Sequence, residues 1–239
     1  MDAWLFLLRW LHFLAGITWI GMLYYFNFVQ VPFFAGAEAP VRTGMIAGGL
    51  VSRALWWFRW GAMITFITGW LYLLHKWGQF GFLGFFNQPY GWAIFMGGVI
   101  GSVMWFNVWF IIWPAQQVVM ASTARVKEGG QAIPEAAARG ARGGVASRTN
   151  VLLSIPMLFF MGSASHWAFF TPTARPAKIA MLVVFLIILA IVEGNAVVGP
   201  ATPDKASAGK KLLSTVKGTL WAGFVLTAVF VIALKIVFA

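Results

Sequence analysis

Six long apolar stretches, each broken from the next by segments rich in Pro, Gly, Lys and Arg, set the pattern of this chain: residues 3–31, 54–76, 91–113, 149–170, 177–198 and 215–238. A helix needs roughly 20 mainly apolar residues, at about 1.5 Å of rise each, to cross about 30 Å of hydrocarbon. No stretch shows the period-two alternation of a membrane β-strand. The pattern predicts an all-α fold, a polytopic integral membrane helical bundle of about six transmembrane helices in a single domain spanning 1–239. The first stretch is expected to stay in the protein, because Met1–Leu8 holds no basic residue and the run is too long for a signal-peptide core. Residues 114–148 form the one long connector, whose Ala/Gly/Arg-rich part at 131–146 reads as a short amphipathic helix plus a flexible turn able to lie on anionic lipid. No internal repeat is evident by eye.

Composition narrows the class further. The chain is 61% hydrophobic and 10% charged over 239 residues, which a water-soluble domain does not sustain. Its net charge of +11 comes from Lys and Arg placed between spans, so nucleic-acid binding is not expected. Loops one, three and five carry eleven Lys and Arg, against three in loops two and four. The positive-inside rule then puts the first set in the cytoplasm and both termini on the periplasmic side of a bacterial inner membrane. The chain has no cysteine, which excludes disulfides, thiolate ligands and a CxxCH haem attachment. A redox centre would have to rest on His, Met or carboxylate.

Depth in the membrane follows from distance to each span end, and it sorts the polar residues into two sets. His12, His75 and His166 all fall in the outer half. His12, Gly16 and Trp19 share one helix face at i, i+4 and i+7, so Gly16 clears space beside the imidazole and Trp19 offers a flat wall. That pattern suits a b-type haem, with His12 and His166 as candidate iron ligands and His75 beside them. The alternative is that His75 and His166 belong to an interfacial aromatic belt and that His12 is a helix-to-helix hydrogen bonder. In the inner half lie Asn27, Gln30, Asn107, Gln116, Arg148, Asn150 and Glu193, together with Trp109 near the end of span three. Their amide and guanidinium groups offer paired donors and acceptors to a planar polar substrate or a quinone headgroup. Asn107, Gln116, Asn150 and Trp109 are the candidate substrate residues, and Glu193 and Arg148 the candidate catalytic pair. Glu193 is an acid embedded in a span, expected either with its proton held by desolvation or paired with Arg59 or Arg148.

Three segments carry a resemblance: Arg9-Trp10-Leu11-His12 through Trp19-Ile20-Gly21; Trp105-Phe106-Asn107-Val108-Trp109 through Trp113-Pro114-Ala115-Gln116; and Ser147-Arg148-Thr149-Asn150 through Ser154-Ile155-Pro156, Met161 and His166. Over residues 8–170 the chain resembles the membrane domain of the bacterial urate hydroxylase family. The resemblance implies oxidation of a purine such as urate, with electrons passed to the respiratory chain through a cytochrome c domain. This sequence departs from that layout in having no CxxCH motif, so a separate cytochrome c or a larger membrane complex is expected to take the electrons. The expected function is a membrane redox protein binding haem b near the periplasmic side. The competing expectations are a non-catalytic subunit of a respiratory or photosynthetic complex, and a permease, which the scarcity of intramembrane charge disfavours.

Overall fold

The computed structural model describes residues 3–202 and 204–238, and every regular element among them is helical. α1 (Ala3–Tyr24) runs through a π-helix, π1 (Tyr25–Gln30), into α2 (Val31–Gly36). α3 (Ala39–Ala47) and α4 (Leu50–Phe80) follow, then the single turn α5 (Phe82–Phe85). α6 (Pro89–Phe106), a second π-helix π2 (Asn107–Ile112) and α7 (Trp113–Lys127) form another continuous rod. The chain ends with α8 (Ala136–His166), α9 (Arg175–Val197), the short α10 (Ala208–Leu212) and α11 (Val216–Val237).

Five of these rods are long and apolar enough to cross a membrane: Ala3–Gly36, Pro89–Lys127, Ala136–His166, Arg175–Val197 and Val216–Val237. Each spans at least 22 residues, yet at most 56% of its most apolar stretch is buried inside the bundle, so the chain leaves wide apolar surface for lipid. The sixth expected span corresponds to α4, which has the length, at 31 residues, but not the hydropathy. Its polar residues are used inside the bundle: Thr65 and Thr68 are buried, and the Arg59 guanidinium lies 3.7 Å from the Trp113 ring centre. The expected long connector at 114–148 is largely helix, because α7 and α8 extend past the apolar stretches and leave only residues 128–135 between them.

α1 packs most extensively on α4, and α6 on α8, with α11 completing the contact surface of α8. Small residues make these approaches close. A Cβ on Gly61 of α4 would sit 3.1 Å from the Trp19 backbone nitrogen, and one on Gly223 of α11 would sit 2.8 Å from the Leu152 carbonyl oxygen. That carbonyl is four residues before Pro156, which has no N–H to offer it, so α11 fits against the place where the proline interrupts the ladder of α8. The core between the pairs is built from large side chains such as Trp19, Phe58, Phe160 and Phe230.

One repetition escapes inspection of the sequence. Both six-residue π-helices end two residues before a proline, Pro32 after π1 and Pro114 after π2, and each begins at or within an aromatic-Phe-Asn triplet, Tyr25-Phe26-Asn27 and Trp105-Phe106-Asn107. In each, the N–H of the last residue before the proline reaches back five positions, Val31 to Phe26 and Trp113 to Val108. The proline ring crowds the carbonyl four residues earlier, and widening the turn relieves that clash while keeping the helix continuous. The two rods therefore carry the same irregularity toward the same end of the bundle.

Candidate functional site

Two cavities lie toward opposite ends of the bundle. The first lies at the end where α1 begins and α4 and α8 finish, here called the histidine end, and has a volume of about 700 Å³. Pockets that enclose a sizeable organic ligand typically measure about 300–1,000 Å³. His12, Gly16, Trp19 and His166, four of the five residues expected at a cofactor, all line it. His75 does not, and its Nε2 instead lies 3.1 Å from the Gln79 side-chain amide.

The imidazole of His12 is held by α4. Its Nδ1 is 3.2 Å from the Thr68 hydroxyl. That hydroxyl already donates to the Ile64 carbonyl at 2.7 Å, so toward His12 it can only accept. Nδ1 therefore carries the proton and Nε2 keeps its lone pair, the tautomer required of an iron-ligating histidine whose far nitrogen is tied to the protein. Gly69 makes the fit possible, since a Cβ there would come within 2.9 Å of His12 Cε1. Elsewhere the wall is shaped by absence: a Cβ on Gly21, Gly98, Gly101 or Gly162, all lining residues, would meet nothing within 4 Å. Open space beside these glycines, in one cavity with two histidines, leaves room for a planar cofactor such as haem b. Thr68 and Gly69 were not expected from sequence, because their role depends on how α4 registers against α1.

The second cavity, of about 460 Å³, lies at the opposite, amide end. Asn27 and Gln30 of π1, Gln116 of α7, Ser147 and Arg148 of α8 and Lys210 of α10 line it. Gln30 is only 7% exposed, and its Oε1 has no partner among the described residues. Arg148 donates from Nη1 to the Leu213 and Ser214 carbonyls, both at 3.3 Å. Lys210 donates to the Val198, Gly199 and Pro200 carbonyls, and Arg142 caps the Ala196 and Gly199 carbonyls beside it. Burial, reinforced by the Arg142 cation, lowers the Lys210 ammonium below the ordinary lysine range.

The residues expected to form one inner site are thus divided. Gln116 and Arg148 line the amide-end cavity, whereas Asn107, Asn150, Glu193 and Trp109 do not. Asn107 Nδ2 donates to Asn150 Oδ1 at 2.9 Å and to Glu193 Oε2 at 3.0 Å, and Asn150 Nδ2 donates to the Met104 carbonyl at 2.9 Å. This knot ties π2, α8 and α9 together. The hydrogen-bond partner of Glu193 is Asn107, in place of the expected Arg59 or Arg148, whose partners are Trp113 and the Leu213 and Ser214 carbonyls. Two buried oxygens in the knot, Asn107 Oδ1 and Glu193 Oε1, have no partner among the described residues. Trp109 meets Trp60 edge-on at 5.6 Å and lies 5.8 Å from the Arg59 guanidinium.

Among the described residues no group of three or more His, Asp or Glu gathers to hold a bare metal ion. Neither the curated proteins nor the solved structures hold a match to the chain. A family model does: the one described as urate oxidase N-terminal matches residues 78–197, half of the chain, from the end of α4 through the amide knot to the end of α9. The chain belongs to the urate oxidase N-terminal family.

Proposed function

We propose that this protein is a membrane oxidoreductase of the urate hydroxylase type, with haem b held at the histidine end and a planar, anionic substrate such as a purine, or a quinone, taken at the amide end. The observation that carries the reading is that His12 and His166, on different helices, line one cavity while Thr68 fixes the His12 tautomer that leaves Nε2 free. A haem bound there supplies one-electron transfer and a route to an external cytochrome c. The chain's own residues do the rest. Gly98, Gly101 and Gly162 leave the wall open, Trp19 packs as a rigid side, and the His12 and His166 imidazoles would hold the iron.

At the amide end, Arg148 supplies charge and directed donors to an anion, and Gln30 and Gln116 supply amide groups to ring N–H and carbonyl positions. Glu193 is the proton acceptor in this reading, supported by a buried Oε1 without a partner among the described residues; Asn107 holds its other oxygen. The excess of Lys and Arg in loops one, three and five supports the amide end as cytoplasmic and the histidine end as periplasmic, in a bacterial inner membrane.

The test is a reduced-minus-oxidised absorption spectrum, with a pyridine haemochrome assay, on the detergent-purified chain. A b-type signal that disappears in both His12→Ala and His166→Ala supports the reading. A well-folded, colourless protein that takes up no added haem overturns it in favour of a non-catalytic subunit of a membrane complex.

A further inference from the structure

The mouth of the histidine-end cavity differs chemically from its walls. Arg9 stands one turn before His12 on α1, and Tyr72 one turn beyond Thr68 on α4. Tyr90 opens α6, well before the wall glycines Gly98 and Gly101 on the same helix. All three line the cavity, and each lies on the rim side of the residues that form its body. Tyr72 and Arg9 are the side chains whose electrostatics act on the Tyr90 phenol, and the Arg9 guanidinium lies 5.9 Å from the Tyr72 ring centre. Lys76 stands at the same distance, 5.9 Å, from that ring. No carboxylate balances these cations among the described residues: Glu38, Glu128, Glu135, Glu193 and Asp204 all belong to segments at the amide end, and Asp2 lies outside the described residues.

A cavity with an apolar, glycine-lined body and a rim of one guanidinium and two phenols selects a flat ligand that is apolar along most of its length and anionic at one edge. We propose that Arg9, Tyr72 and Tyr90 form a carboxylate-binding rim that fixes the orientation of a planar, carboxylate-bearing macrocycle, its acid groups at the mouth and its apolar edge against Gly16, Gly98 and Gly101. This rests on the reading of the cavity as a haem site and adds which edge of the ligand faces out and which residues hold it. The guanidinium gives charge-assisted hydrogen bonds, and the two phenols give donors that remain neutral and directional at the membrane surface. Arg9 also has the reach to keep its charge in the interface while its stem lies along the helix.

The test uses metal-free protoporphyrin IX and its dimethyl ester, titrated into the cofactor-free chain in detergent, with quenching of the cavity tryptophans Trp19 and Trp70 as the readout. The free acid is expected to bind about tenfold or more tightly than the ester, as loss of a charge-assisted contact implies. In Arg9→Gln the two should bind alike, and a Tyr72→Phe/Tyr90→Phe variant should lose part of the preference. With haem itself, Arg9→Gln should weaken binding while leaving the positions of the absorption bands unchanged, because the imidazoles are untouched. Equal binding of acid and ester to the unaltered chain, or a preference that survives Arg9→Gln, overturns the rim assignment and leaves the histidine reading standing. Absence of any porphyrin binding, together with absence of a b-type spectrum, overturns both.

Discussion

The two cavities are made by many of the same helices and yet are built for opposite tasks. At the histidine end α1, α4, α6 and α8 meet through regular α-helix, and the space arises because glycines stand where side chains would. At the amide end two of the same four rods, those of α1 and α6, have widened into π-helices, and space opens beside wide turns carrying Asn27 and Gln30. Glycine opens an apolar slot that waits for a ligand to bring its own chemistry. A π-helix turns polar side chains inward at the cost of regular hydrogen bonding, which is why such segments recur at binding sites. The lesson is a division of labour by backbone geometry as much as by side-chain type.

The largest test of that division is Gly69→Leu. The side chain would displace the His12 ring, since even a Cβ approaches Cε1 within 2.9 Å, and haem affinity should fall by about 100-fold or vanish. Helix content by circular dichroism should be nearly unchanged, and the amide-end cavity should still take its ligand. Retention of a normal b-type spectrum in this variant would show that His12 is not a ligand. Next in size is Thr68→Val, which keeps the shape but removes the hydroxyl that accepts from Nδ1. Binding should weaken by about tenfold and not vanish, because the imidazole loses its acceptor but keeps its packing beside Gly69. An effect on haem content equal to that of His12→Ala would mean that Thr68 acts through the packing of α1 on α4 and not through the tautomer.

These residues also mark how far sequence carries. His12, Gly16 and Trp19 were legible as one face because they lie on a single helix, where spacing alone fixes direction. Thr68, Gly69, Tyr72 and Tyr90 were not, since the register of α4 and α6 against α1 is decided by close approaches such as Gly61 on Trp19. The helical membrane fold was readable from apolar run length, and the family from the Asn107–Gln116 and Ser147–Asn150 blocks. The inner polar set was grouped by depth alone, and depth is too coarse. Asn107 and Gln116 are nine residues apart, about 13 Å along an α-helix, so one enters the knot with Glu193 while the other reaches the cavity with Arg148. Nothing in composition announces a π-helix, although a proline six to nine residues after an aromatic-Phe pair recurs in both rods.

At the amide end, Arg148→Gln is the sharpest probe. It keeps hydrogen-bonding capacity but removes the charge; if the chain acts as proposed, urate-dependent haem reduction should require about tenfold more substrate while the absorption spectrum stays unchanged. A spectrum altered by Arg148→Gln would show that the two cavities are not independent. Glu193→Gln is expected to lower the maximal rate more than substrate affinity, because Glu193 does not line the cavity.

The smallest effect concerns Lys210, which closes the amide end by holding three carbonyls after α9 while facing Arg142. Its folded-state pKa is lowered from the ordinary lysine value of 10.5, so in the window between the two values the unfolded chain holds more protons than the folded one. Stability contributed by this group therefore rises as the pH climbs through its lowered value toward 10.5, and is flat well below that window. Lys210→Met removes the ammonium and keeps most of the aliphatic stem. The difference in thermal midpoint between the unaltered chain and Lys210→Met, followed in detergent from neutral to alkaline pH, should shift in favour of the unaltered chain as the pH rises. A difference that moves the other way would mean that the ammonium is stabilised where it lies, and that the carbonyl cage at the end of α9 outweighs both desolvation and its cationic neighbour.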